Sequence, residues 1–255
     1  MFDICVNLQS ERFDHDRDEV IEKAFQQGVE YIALTGSNLP SSYFALEYSQ
    51  KDPSRFCATA GIHPHEAQSF CPELWKEISI LATNPLIKAV GECGLDYFRN
   101  FSSPEIQKKC FQAHIRLAQE LGKPLFLHQR DAFTEFIDLL DEEKAQVPVV
   151  VHCFTDGEEQ LLALLDRGYF IGITGWICDD RRNQALLEAI HHLPLERMMI
   201  ETDSPWLTPR HLKKIRRNEP SFLSHVVSRI SRETGHTEED IIFHSTQNAK
   251  HFFGI

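Results

Sequence analysis

The chain has 255 residues, of which 42% are hydrophobic and 25% charged, and it carries a formal net charge of -12 at pH 7. That composition excludes a disordered chain, and the acidic surplus excludes whole-surface attraction to nucleic acid, so a polyanionic substrate needs a local basic site. The seven cysteines, an odd number with no CxxC pair, exclude a disulfide framework or a zinc ribbon.

Apolar, β-type runs recur along the whole chain at 2–8, 31–35, 57–62, 87–90, 125–127, 147–151, 170–174 and 198–200, each bounded by Gly, Pro, Asn or a polar residue. Helical spacing fills the intervals at 17–27, 40–49, 72–83, 104–121, 132–142, 157–167 and 180–190, and continues after the last strand at 221–234 and 237–253. Ser103-Pro104 opens one of these helices and Gly122 closes it, while Gly28 and Gly168 follow others. Strand–helix alternation on this scale, without a GxGxxG or P-loop, predicts an α/β chain folded as a TIM-type (β/α)8 barrel, with residues 1–255 as one domain. No apolar run approaches the ~20 residues of a membrane span and no signal peptide opens the chain, so a cytoplasmic location is expected.

Four of the runs lead straight into a polar side chain suited to metal: IKAVGEC to Glu92, LFLHQR to His128, VVVHCF to His152 and MMIETD to Asp203. In a parallel α/β sheet the C-terminal ends of the strands carry the chemistry, so these residues are expected at one mouth. Two imidazoles and two carboxylates suit a divalent ion, with Zn2+, Mn2+ and Mg2+ all compatible, and Asp203 is the candidate base that takes a proton from water. Alone, each His reads as a hydrogen-bonded core residue and each acid as a helix cap or an Arg partner; the conjunction at four strand ends points to function. The third strand adds His63-Pro64-His65, with His63 expected at the mouth and His65 in a supporting or substrate-binding role. Arg130, two residues beyond His128, is a candidate phosphate clamp, with a salt bridge to Asp131 or Glu135 as its structural alternative. Glu201 is placed to approach the metal or to orient a ligand.

No acid occurs between Ser204 and Asn218, whereas Arg210, Lys213, Lys214, Arg216 and Arg217 cluster there beside His211. The run reads either as a solvated loop or as the basic site that a polyanion requires. Trp206, Tyr97, Phe98 and Trp176, all near strand ends, are candidate stacking surfaces for the bases of a single strand, with lid packing as their alternative.

GECGLDY at 91–97, PLFLHQRDA at 124–132, VVHCFTD at 150–156, GITGW at 172–176, IETDSPWLTP at 200–209, RNEP at 217–220 and NAKHFFGI at 248–255 together resemble the TatD metal-dependent deoxyribonucleases, relatives of the amidohydrolase barrels. The resemblance begins with DICVNL at 3–8 and spans almost the whole chain. It implies a metal-dependent hydrolase barrel and divalent-metal-dependent hydrolysis of nucleic-acid phosphodiester bonds. The expected activity is a 3'-5' exonuclease on single-stranded DNA, with RNA as a further substrate and a role in DNA repair or degradation. Mg2+ is the first expectation for the ion, ahead of Mn2+ and Zn2+. Carried over by position, Glu92, His128, His152 and Asp203 are the metal and catalytic residues, with Glu92 and Asp203 catalytic, and His63 matches a mouth histidine; from their places in the sequence, His63, His65, Arg130, Trp206, Arg216 and Arg217 are expected to bind substrate. No obligate protein partner and no membrane are expected. One departure stands out. Much of the family has His-x-His on the first strand, where this chain has Cys5-Val6-Asn7. We therefore expect one ion on Glu92, His128 and His152, with a second site weak or completed by substrate phosphate, and Cys5 as a packing residue rather than a zinc thiolate. The competing readings are aminoacyl-tRNA deacylation or another carbonyl hydrolysis on the same centre, and a non-catalytic binding scaffold.

Overall fold

A computed structural model describes residues 1–255. Its strands are β1 (Phe2–Val6), β2 (Tyr31–Leu34), β3 (Phe56–Ala60), β4 (Ile87–Asp96), β5 (Leu125–Arg130), β6 (Val149–Val151), β7 (Phe170–Ile173) and β8 (Met198–Ile200), in the sheet order β1-β2-β3-β4-β5-β6-β7-β8. Between and after them run α1 (Arg17–Gln26), α2 (Leu39–Ser49), α3 (Pro72–Ala82), α4 (Pro104–Leu121), α5 (Phe133–Glu142), α6 (Glu158–Asp166), α7 (Gln184–Ala189), α8 (Leu223–Thr234) and α9 (Glu238–Phe253). The alternation read from the sequence is thus present, element for element. By packing, the chain divides into two compact units, Leu34–His152 and the pair Met1–Ala33 with Cys153–Ile255.

Within Leu34–His152, β3 to β6 pair in parallel, one after the next. The helices begin where the sequence caps them: Asn38 and Ser41 form a reciprocal capping box for α2, and Pro72 and Pro104 occupy the first turns of α3 and α4. Gly122 ends α4 in the left-handed conformation that a residue with a Cβ resists. The inner face of α4 buries Cys110, Phe111, His114, Ile115 and Ala118, and Phe111 stacks on Phe136 of α5 with ring centroids 5.3 Å apart. His114 accepts the Ile62 backbone N–H at 3.0 Å on Nε2, while its Nδ1 lies 2.7 Å from the Cys110 carbonyl, which anchors the segment leading to His63.

Within the other unit, β7 and β8 pair in parallel and Val6 bridges Ser204 in the same sense. Helix α8 buries Leu223, Val226, Val227 and Ile230, the i, i+3, i+4, i+7 stripe of a helix covering a core. The helix expected over 180–190 is shorter, beginning only at Gln184. The preceding residues are held as a turn, because Asn183 Nδ2 donates to the Ile177 carbonyl at 2.6 Å and Asp179 engages Arg181 and Arg182.

Candidate metal and catalytic site

Glu92 does not end its strand, as the sequence suggested, but lies within β4, which runs on to Asp96. Glycines make this possible. Gly91 and Gly94 have φ of 133° and 141°, and a Cβ on either would fall inside contact distance of a β5 carbonyl oxygen, that of Phe126 or of His128. Strand β4 thus lies close against β5, with Gly94 opposite His128 and Asp96 opposite Arg130 after a register shift between Val90 and Cys93. The two glycines that read as a strand boundary instead extend the strand.

Around Glu92 Oε1 stand three imidazole nitrogens: His152 Nε2 at 2.8 Å, His63 Nε2 at 3.2 Å and His128 Nδ1 at 3.4 Å. Burial alone would raise the Glu92 pKa, but the adjacent imidazoles of His63 and His152 and the hydrogen bonds from His128 and His152 hold it well below the usual range. The carboxylate is therefore charged, as a cation site requires. Donor bonds of about 2.1 Å to a tetrahedral or octahedral ion imply donor–donor separations of roughly 3.0 to 3.4 Å. The separations from Glu92 Oε1 to His63 and His128, 3.2 and 3.4 Å, lie in that range and that to His152, 2.8 Å, just below it, so the donor set suits a divalent cation.

The nitrogens are not equivalent. His63 Nδ1 accepts the His65 backbone N–H at 3.0 Å, which leaves the proton of a neutral ring on Nε2. Burial lowers the His63 pKa to about 4, so the ring is neutral at pH 7. His63 thus presents a donor rather than a lone pair, and although it lies within the cluster of potential ligands it suits an acceptor such as a phosphate oxygen. His128 is arranged the other way. Burial opposes charge on the ring, but its bonds to Asp96 and Glu92 raise its pKa; when it gives up the Nδ1 proton that faces Glu92, the Nε2–H stays on Asp96 Oδ2 at 3.2 Å and the Nδ1 lone pair is freed for a cation. Asp96 also holds His65, whose Nε2 is 2.7 Å from Oδ2, and accepts the Arg99 backbone N–H at 2.7 Å. Burial opposes charge on Asp96, but these partners win and keep it ionised. The sequence reading passed over Asp96; the signal was its spacing, two strand periods after Glu92.

In the other unit, Asp203 follows β8 with φ of 54°, and its backbone N–H donates to the Cys5 carbonyl at 3.0 Å. Asn7 Nδ2 donates to Asp203 Oδ1 at 2.9 Å, and Cys5 Sγ lies 3.6 Å from the same oxygen. The residues standing in place of His-x-His therefore position the acid. Below it, Asp3 accepts Thr202 N at 2.9 Å and Thr202 Oγ1 at 2.6 Å, Asn218 Nδ2 donates to the Thr202 carbonyl at 2.8 Å, and Glu201 Oε1 accepts Cys153 N at 2.5 Å. These bonds fix the segment that carries Asp203.

The remaining candidates separate. Arg130 packs its guanidinium 4.3 Å from the ring centre of Phe98, which is 54% exposed. Trp206 is 47% exposed with Arg12 against its ring at 4.6 Å, whereas Trp176 is buried beneath Arg182 at 3.7 Å and offers no open face for a base. Tyr97 donates to Glu135 at 2.7 Å. Arg216 is exposed, but Arg217 is engaged by Asp16 at 2.7 Å, Glu219 at 2.8 Å and the Arg12 carbonyl at 2.6 Å. Arg217 therefore anchors the end of the basic run. Its Nη1 and Nη2 are engaged by these acceptors, whereas Arg216, the other substrate-binding candidate of the pair, is exposed.

Parallel strands in chain order, alternating with helices and carrying carboxylate and imidazole donors on β4, on β5 and just beyond β6, define a barrel of the metal-dependent hydrolase class. Comparison with known proteins narrows the class: the chain belongs to the TatD related DNase family, whose model matches residues 2–254. A 3'-5' ssDNA/RNA exonuclease TatD from Citrobacter rodentium is 44% identical over 259 residues, covering 100% of this chain and 98% of that protein. Among solved structures, a TatD family hydrolase from Entamoeba histolytica superposes with a TM-score of 0.89 at 25% identity, covering 99% of this chain and 97% of its own. A TatD homologue from Escherichia coli superposes with a TM-score of 0.92 at 22% identity, covering 100% of this chain and 98% of its own. The TIM-type (β/α)8 fold and the family read from the motifs are both borne out. No helix is long and apolar enough to cross a membrane.

Proposed function

We propose that this protein removes nucleotides from the 3' end of single-stranded DNA, and of RNA as a further substrate, by hydrolysing phosphodiester bonds with a divalent ion held by Glu92, His128 and His152. The observation that carries the reading is the set of imidazole nitrogens at 2.8 to 3.4 Å around the charged Glu92 oxygen. It occurs in a chain 44% identical to a relative named as a 3'-5' ssDNA/RNA exonuclease. The uninterrupted family match over 2–254 supports treating residues 1–255 as one functional domain, and the cytoplasm is its proposed location.

When bound, the ion polarises a phosphoryl oxygen and lowers the pKa of water. His128 is oriented for this role by Asp96, and His152 brings Nε2 to 2.8 Å from Glu92 Oε1. His63 Nε2–H donates to a non-bridging phosphate oxygen, with His65, held by Asp96, beside it. Asp203, its Oδ1 fixed by Asn7, accepts the proton of the attacking water, and family membership supports counting it among the metal residues as well. Arg130, Trp206 and Arg216 contact the strand. Mg2+ is the proposed working ion. Two imidazoles favour Mn2+ or Zn2+ in affinity, so the three are to be compared directly.

The test is digestion of end-labelled single- and double-stranded oligonucleotides with Mg2+, Mn2+ or Zn2+, with chelator, and with His128→Ala. Stepwise loss from the 3' end of single strands, abolished by chelator and in the variant, is expected. Hydrolysis of charged tRNA but not of oligonucleotides would replace this reading with carbonyl chemistry, and nucleic-acid binding without any hydrolysis would replace it with a scaffold.

A further inference from the structure

The unit formed by Met1–Ala33 and Cys153–Ile255 holds two neighbouring cavities, of about 430 and 590 Å3, that share Arg210 and Lys213 in their linings. The first is also lined by Arg181, Arg182 and Arg216, with Asp179 its one acid; the second by Arg229 and Arg232, with Asp180 its one acid. Cations thus outnumber acids in each cavity, on a chain whose net charge is -12. Such a local reversal of sign attracts a polyanion that the rest of the surface repels.

The acids organise the cations rather than cancel them. Asp179, buried, takes Arg181 through Nε and Nη2, both at 2.7 Å, and Arg182 through Nε at 2.9 Å, while Arg182 lies against Trp176. Arg181 stays 63% exposed, with Nη1 directed to neither Asp179 oxygen. Asp180 and Glu233 each hold Arg229 at 2.8 Å. Arg210, Lys213 and Arg216 are exposed and make no ion pair. Cations that line a cavity without partners, beside guanidiniums already held in place, are preorganised for phosphate.

The linings also say what is not recognised. Neither contains Phe, Tyr or Trp, and the two imidazoles of the second, His211 and His225, pack edge to face on one another, with ring centroids 4.8 Å apart and Nε2 of one 3.1 Å from Nδ1 of the other. Two neighbouring cavities that share Arg210 and Lys213 and are lined chiefly by cations fit consecutive backbone phosphates better than a single nucleobase. We propose that they form a sequence-independent phosphate track for the part of the strand that is not being cut, so that strands long enough to reach it are preferred. This rests on the nuclease reading above. It adds the Arg181–Arg182 turn, which helical spacing alone would place in a helix.

The test uses the full chain, the Arg181→Ala/Lys213→Ala double variant, the separate Arg210→Ala variant, and Arg181→Lys, which keeps the charge. Binding of fluorescent single strands of about 4 to 16 nucleotides is measured over a salt series in the His128→Ala background, and kcat/KM is measured on a dinucleotide and on a strand of about 16 nucleotides with His128 intact. The slope of log affinity against log salt is expected to fall by about one for each phosphate that is no longer neutralised, with Arg181→Lys retaining the parent slope. The preference for the long strand over the dinucleotide is expected to fall about tenfold in the double variant and in Arg210→Ala. Thermal melting identifies any variant that fails to fold, and Arg210→Ala alone carries the test in that case. Unchanged slope and length preference in folded variants overturn the track. So does inorganic polyphosphate binding lost in the variants without any change toward DNA. If the wild-type chain hydrolyses neither substrate, the nuclease reading fails, while the salt slope still reports on the track.

Discussion

Asp96 and Glu92 hold opposite sides of one ring: Asp96 Oδ2 lies 3.2 Å from His128 Nε2, and Glu92 Oε1 lies 3.4 Å from His128 Nδ1. One carboxylate therefore sets the tautomer that makes the other side of the ring a ligand. Removing such a partner typically costs 10–100-fold in metal affinity. Asp96→Ala is expected to weaken Mn2+ or Zn2+ binding by about that factor in a calorimetric titration. Retained affinity would show that Asp96 serves only to place His65.

Asn7→Ala removes the 2.9 Å donor to Asp203 Oδ1. A hydrogen bond to a charged group contributes roughly 1.5–3 kcal/mol, so kcat should fall about 10- to 100-fold if Asp203 must be aimed. Metal affinity at Glu92, His128 and His152 should stay within about twofold, measured by the same titration. An undiminished kcat removes Asn7 from the positioning of the acid.

Gly94→Ala should cost stability before it affects chemistry. The φ of 141° is one that residues with a Cβ rarely adopt, and the added methyl meets the His128 carbonyl oxygen. Strain and overpacking together suggest a loss of about 2–5 kcal/mol, read as a drop in the urea midpoint. A melt matching the parent would mean that β4 and β5 can separate at little cost.

Asp3 gives a pH dependence of unusual sign. Burial raises its pKa from 3.8 to about 8, only partly offset by the bonds from Thr202, so the folded chain keeps a proton that the unfolded chain releases. Its contribution is neutral below about 4, falls as pH rises from 4 to 8, by up to about 1.4 kcal/mol per unit, and is flat above. Asp3→Asn should remove that decline. Denaturation of both chains at pH 5, 6, 7 and 8 checks this, and parallel curves would refute it.

The strand order and the carboxylate and imidazole side chains gathered at Glu92 were legible because a buried parallel strand writes itself as an uninterrupted apolar run, and the polar residue ending the run is conspicuous. Asp96 was not, since Gly91 and Gly94 read as punctuation when only the closeness of β5 explains them. The Arg181–Arg182 turn was hidden for a related reason: Asp179 and Asn183 override helical spacing with bonds to groups that periodicity does not register. Arg217 shows the opposite limit. Its place in a basic run suggested an outward charge, while its acceptors come from Asp16, far away in sequence, and Glu219.

The anchoring of Arg217 bears on what electrolytes do to this protein. Its partners Asp16 and Glu219 are partly shielded from solvent, whereas Arg210, Lys213 and Arg216 face it, and shielded pairs are screened far less than open ones. Raising ionic strength should therefore silence the outward cations while the knot beneath the loop holds. Salt then acts as a competitor rather than a denaturant, and inhibition by it should reverse fully on dilution.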